Sequence, residues 1–134
     1  MADKFYVDTK VHKLFKEMVE FAHSPFYKKD MKDVFIFAMA LGFYLKRRKK
    51  LEKKKDIADI DVFSPSQKLL IKSVAVKAEE KPSVLINETK PIEIAEEFAN
   101  GGIDDLYNWV FQTKEDPVKV LDKKLTEFMK KMKK

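Results

Sequence analysis

Apolar residues recur at helical intervals over most of this chain. Val11, Leu14, Phe15, Met18, Val19 and Ala22 stand at i, i+3, i+4, i+7, i+8 and i+11, the spacing of one face of an α-helix. Lys13, Lys16, Glu17 and Glu20 fill the other side. Asp8 or Thr9 offers an N-cap, and His23-Ser24-Pro25 ends the helix, because the residue before proline is pushed out of the α region. Residues 34–45, VFIFAMALGFYL, are apolar almost all round. A helix without a polar face belongs at the centre of a fold, and twelve residues rise only ~18 Å, too little to cross a bilayer. Asp30 or Asp33 suits its N-terminus, and Lys46, Arg47 and Arg48 suit its C-terminus. Gly42 in its interior costs ~1 kcal/mol relative to alanine, which predicts a close contact with another helix.

The pattern weakens over Asp56–Phe63, an irregular segment or short strand. Ser64-Pro65-Ser66-Gln67 then starts a helix: serine caps, proline takes the first position and glutamine completes a capping box. Leu70, Ile71, Val74, Ala75 and Ala78 form its buried stripe to about Glu80, and Pro82 stops it. Residues 83–90 turn the chain. Pro91–Asn100 reads as a short helix with Ile94, Ala95 and Phe98 inward, ended by Asn100-Gly101-Gly102. Asp104 and Asp105 open another through Leu106, Trp109 and Val110. Asp116-Pro117 opens the last, with Val118, Leu121, Leu125, Phe128, Met129 and Met132 on its stripe. Residues 3–8 read as a short strand or extended arm. The expectation is a mainly α, single-domain bundle of five or six helices with one short N-terminal strand (residues 1–134). Residues 123–134 fray as a basic tail or close the last helix.

Composition narrows the chemistry. With 134 residues and 45% hydrophobic content, one domain with its own core is expected. No apolar run reaches the ~18 residues of a membrane span, and the N-terminus lacks the basic–apolar–small order of a leader; the expected location is the cytoplasm. Zero cysteines exclude thiolate zinc sites, cysteine nucleophiles and Fe–S clusters. Three glycines leave no phosphate-cradling loop, so no cofactor is expected.

The net charge of +6 is unevenly distributed. Residues 46–55, KRRKKLEKKK, hold eight bases and one acid, and residues 123–134 hold six lysines and one glutamate. Residues 56–122 hold seven lysines and fourteen acids. Dense like charge is relieved by solvent, by acids elsewhere on the fold, or by a polyanion, of which nucleic acid is the strongest through counterion release.

Other candidates read first as structure. His12 and His23 are too far apart for a helical zinc pair, so both are structural. Asp56, Asp59 and Asp61 form the tightest acidic triple. With Glu79, Glu80 and Lys81 they suggest a metal-dependent nuclease, but beside KRRKKLEKKK they are its counter-charges. Glu93, Glu96, Glu97, Asp104 and Asp105 make an acidic surface around Gly101-Gly102. A strand with Lys4 and Tyr6 alternating with Phe5 and Val7, then two helices, is the order of a ribbon-helix-helix DNA-binding dimer. In that reading Lys28 and Lys29 hold phosphate before the second helix.

Two stretches carry a resemblance. Residues 35–43, FIFAMALGF, followed by Arg47-Arg48-Lys49-Lys50-Leu51, and residues 94–106, IAEEFANGGIDDL, resemble the small prokaryotic proteins encoded beside DNA phosphorothioation (Dnd) and other phage-defence systems. The resemblance spans most of residues 25–110. It implies an intracellular prokaryotic setting and work near DNA; it carries no defined activity and no catalytic residue. The expected function is therefore a non-catalytic accessory role. Lys46, Arg47, Arg48, Lys49, Lys50, Lys53, Lys54 and Lys55 hold phosphates without reading sequence, Lys28 and Lys29 add to them, and Lys123, Lys124, Lys130, Lys131, Lys133 and Lys134 form a second contact. The alternatives are a protein–protein adaptor whose acidic half docks a larger defence protein, and the ribbon-helix-helix regulator, which would be a homodimer.

Overall fold

The computed structural model describes residues 4–21, 24, 26–86, 90–111, and residues 123, 126, 127 and 130. Strand β1 (Lys4–Asp8) leads into helices α1 (His12–Glu20) and α2 (Met31–Tyr44); strand β2 (Lys54–Asp59) follows, then α3 (Pro65–Glu79) and α4 (Lys90–Phe111). Short 3-10 turns at Ile60–Val62 and Pro82–Ile86 flank α3. The fold is mainly helical, with one two-stranded antiparallel sheet.

Helix α2 is central, packed on α4, α1 and α3, as its all-round apolar surface requires. Its contact with α4 corrects the expected break at Asn100-Gly101-Gly102. Helix α4 runs unbroken through both glycines, and neither has positive φ. Their role is absence of bulk. A Cβ on Gly102 would lie 2.1 Å from the Ala38 carbonyl oxygen, and one on Gly42 would lie 2.0 Å from that of Phe98. The two backbones meet at these glycines, and the predicted two short helices are one. Among the described residues four α-helices are delimited, and the expected five or six are not confirmed. The predicted last helix lies largely outside the described residues, although Lys123, Thr126, Glu127 and Lys130 are helical.

Strand β1 enters the core on Phe5, fully buried, with its ring 4.7 Å from Phe35 of α2 and 4.8 Å from Phe63. It pairs with β2 in the register Lys4↔Asp59, Phe5↔Ala58, Tyr6↔Asp56, Val7↔Lys55 and Asp8↔Lys54, with a bulge that skips Ile57. This corrects the ribbon-helix-helix alternative. The strand has its partner within the chain, and its Tyr6 N–H donates to the Glu96 carboxylate of α4 at 2.7 Å.

The capping box of α3 forms as the sequence dictates: Ser64 Oγ accepts from Gln67 N at 3.2 Å, and Gln67 Oε1 accepts from Ser64 N at 2.9 Å. Gln67 Nε2 also donates to Asp33 Oδ1 at 3.0 Å, tying the starts of α2 and α3 together. Helix α1 starts later than expected, with Val11 at its N-cap. Asp8, expected as that cap, is buried and accepts from the N–H groups of Lys10 and Glu52 at 3.0 and 2.8 Å. Burial alone would raise its pKa; these bonds, with the charges of Lys10 and Lys49, outweigh it and hold the carboxyl below its ordinary value.

Candidate nucleic-acid interface

The basic segment 46–55 leaves α2 through a Schellman turn. Arg47 N donates to Gly42 O at 2.8 Å and Lys46 N to Phe43 O at 3.2 Å. Lys46 sits at the left-handed position of that turn, with φ 58°, where glycine would relieve the strain that a Cβ imposes. The backbone then lies across α4. Lys49 N donates to Glu97 O at 3.1 Å, and Asn100 Nδ2 donates to the carbonyls of Lys49 and Lys50 at 3.1 and 3.2 Å. Gly101 lets the crossing come close, since a Cβ there would lie 1.8 Å from Arg47 O. Beyond it, Thr9 N and Oγ1 both donate to Lys53 O, at 2.8 and 3.1 Å. This segment is a strap fixed at several points, not a solvated loop.

Its two arginines, unlike its lysines, stand against carboxylates of the described residues. Arg47 Nε lies 3.2 Å from Asp105 Oδ2. Arg48 Nε donates to Glu97 Oε1 at 2.6 Å, and Nη2 donates to Glu79 Oε1 at 3.3 Å, with the guanidinium carbon 5.6 Å from the Phe98 ring centroid. Partial burial works against the Arg48 charge, but Glu97 and Glu79 more than offset it and raise its pKa. Arg48 therefore joins α3 and α4 to the strap. With its side chain a third exposed, Arg48→Ala is expected to cost about 1–2 kcal/mol of stability. Lys49→Ala should stay within about 0.5 kcal/mol. Urea denaturation of the two variants checks the contrast.

Lys46, Lys49, Lys50, Lys53, Lys54 and Lys55 are exposed. Among the described residues none of the six makes an ion pair; Lys54 Nζ stands 5.6 Å from the Tyr6 ring centroid. Three acids close in sequence are engaged elsewhere: Glu52 pairs with Lys10, Asp56 with Lys4 at 3.2 Å, and Asp61 with Lys68 at 3.7 Å. Two members of the acidic triple thus pair with different lysines. No group of three His, Asp or Glu among the described residues is placed to hold a metal ion, so the nuclease alternative gains no support. Glu79 pairs with Arg48, while Glu80 and Lys81 are exposed beyond α3.

Lys28 and Lys29 are exposed in the turn before α2, at the opposite end of that helix from Lys46, about 20 Å away along fourteen residues. Lys28 Nζ stands 5.5 Å from the Tyr27 ring centroid. Lys123 and Lys130 are exposed; Lys124, Lys131, Lys133, Lys134 and His23 lie outside the described residues. His12, half-buried, is the first residue of α1.

The model of a family described as DNA sulphur modification system-associated protein 4 matches residues 7–134. The chain belongs to that family. Membership associates it with a DNA sulphur modification system and extends the resemblance from residues 25–110 to nearly the whole chain. Comparison with curated proteins and with solved structures finds no match. Both stretches that carried the resemblance, FIFAMALGF with RRKKL and IAEEFANGGIDDL, meet in this fold. They are the two sides of the α2–α4 contact and the strap laid over it.

One residue of the second stretch was misread from sequence. Glu96, assigned to an acidic surface, is 4% exposed. Burial pushes its carboxyl up to about 7, against the opposing influence of the Tyr6 N–H and the Lys54 charge. The signal was present: Glu96 falls on the helical stripe Ile92, Glu96, Ala99, Ile103, whose other members are buried.

Proposed function

We propose that this protein is a non-catalytic accessory component of a DNA sulphur modification system, at work in a prokaryotic cytoplasm, that holds nucleic-acid phosphates through Lys46, Lys49, Lys50, Lys53, Lys54 and Lys55. One observation carries this reading. The strap's backbone is fixed to α4 and β1, its arginines are matched by carboxylates, and its six lysines are exposed and make no ion pair among the described residues. Lysine ammonium groups on a fixed backbone suit phosphate contact without base reading. Lysines on a strand edge also discourage edge-to-edge pairing of copies, and Lys54 and Lys55 serve that end in either case. Titrating a blunt DNA duplex at several salt concentrations tests the reading. Contact with about four to six phosphates predicts log affinity falling against log salt with a slope of roughly −4 to −5. A flat salt response, or no binding at low salt, rejects it.

A second reading, the protein adaptor, is favoured by Leu69 and Ile86, which are 65% and 85% exposed around α3. It predicts capture of a component of the same system without any salt-dependent duplex binding.

A further inference from the structure

A cleft of about 670 Å³ opens between the C-terminal ends of α2 and α3 and the middle of α4. That size falls within the roughly 300–1,000 Å³ of small-molecule sites. Among the described residues it is lined by Phe43, Tyr44, Phe98 and Ala78, with Lys46, Lys77 and Arg48 at its rim. Phe43 and Phe98 meet edge to face with centroids 5.5 Å apart. Phe98 is buried beneath Arg48, whereas Phe43 is half-exposed.

The rim divides by charge. Arg48 is matched by Glu97 and Glu79. Lys46 and Lys77 are exposed and make no ion pair among the described residues. The carbonyls of Gly42 and Phe43 at the end of α2 each already accept a hydrogen bond, from Arg47 N and Lys46 N. An aromatic surface beside two unmatched ammonium groups suits a ligand that is flat and apolar at one end and anionic at the other. A nucleotide has that form, and stacking beside cations is how single strands are held without sequence readout. Lys46 also begins the lysine strap, so a strand lying on the strap would reach the cleft at its end.

We infer that this cleft receives one unstacked nucleotide of a single strand or strand end, its ring against Phe43 and its phosphate between Lys46 and Lys77. The inference deepens the phosphate-holding role proposed above and rests on it for the approach of the strand. The cleft chemistry itself is testable alone.

The test uses the full chain and the double variant Lys46→Gly, Lys77→Gln. Glycine at position 46 suits the left-handed backbone, so the variant is expected to fold at least as well as the parent, checked by its thermal midpoint. Adenosine 5′-monophosphate is titrated into labelled protein to roughly 10 mM, above the millimolar dissociation constant of a single small contact. Amide shifts are expected at Phe43, Lys46 and Ala78, and their loss in the variant. A single-stranded twelve-nucleotide DNA should lose about tenfold in affinity for the variant, and a blunt duplex less than threefold. Absence of mononucleotide shifts at the cleft, or shifts that persist in the variant, overturns the inference whatever the duplex does. Cleft shifts without salt-dependent duplex binding leave the inference standing and remove the strap from the account. Duplex binding without cleft shifts does the reverse.

Discussion

Gly102→Ala is expected to lower stability by at least ~3 kcal/mol and the thermal midpoint by roughly 10 °C or more. The added methyl would stand 2.1 Å from Ala38 O and 2.6 Å from Gly42 N. Both are backbone atoms of the central helix, so no side chain can rotate away to make room. Relief requires α2 and α4 to separate, and that separation also lifts the strap, because Lys49 and Lys50 are bonded to Asn100 of α4. On helix propensity alone alanine would be the better residue by about 1 kcal/mol, so the packing term must reverse the sign. Asn108→Ala, at an exposed position of the same helix, is the control and should be near neutral. Calorimetry of the two variants decides the matter; a Gly102→Ala protein as stable as its parent would show that the helices do not meet here.

The second large effect is a pH dependence centred on Glu96. Its carboxyl ionises at about 7 in the folded protein, against 4.5 for the free group. Between those values the folded state keeps a proton that the unfolded chain has released. Stability therefore falls as pH rises through this window and levels off above it, by about 3 kcal/mol in total. Asp8 acts in the opposite sense: its lowered pKa contributes stability at higher pH that is lost as acid protonates it, below about pH 4. Together they place the stability maximum on the acid side of neutrality. Glu96→Gln keeps a carbonyl oxygen to accept the Tyr6 N–H but has no charge to bury. The variant should be about 3 kcal/mol more stable than the parent at pH 8 and nearly equal to it at pH 4.5. Denaturant midpoints across pH check this; equal slopes for parent and variant would mean that Glu96 is solvated.

Much of the fold was legible because the signals were local. The stripes of α1 and α3, the Ser64–Gln67 capping box and the central position of α2 each follow from periodicity or a short motif. What failed depended on partners distant in sequence. Asn100-Gly101-Gly102 has the composition of a helix end, and only the approach of Gly42 and Arg47 shows that the glycines clear space within a helix. Of β2 only the weak alternation from Asp56 onward showed in the sequence, as an irregular segment or short strand; its pairing with β1 is specified by Phe5 and Val7 in the core and by Asp8 holding Glu52. In the candidate site, charge density marked residues 46–55 as one segment but made its members look alike. Arg47 and Arg48 differ from the lysines only through Asp105, Glu97 and Glu79, which lie on other elements. The several donors of a guanidinium let Arg48 reach carboxylates on two helices at once, which a lysine ammonium on the same backbone does not match.

The most direct measurement replaces Lys49, Lys50, Lys53 and Lys55 together by glutamine and compares duplex affinity with the parent at one fixed, moderate salt concentration. These side chains make no ion pair among the described residues, so the folded state should persist with an unchanged far-ultraviolet spectrum. Removing about four phosphate contacts predicts an affinity loss of tenfold or more and a salt slope flatter by roughly three to four. An unchanged affinity in the folded variant would contradict the assignment of the strap to nucleic acid.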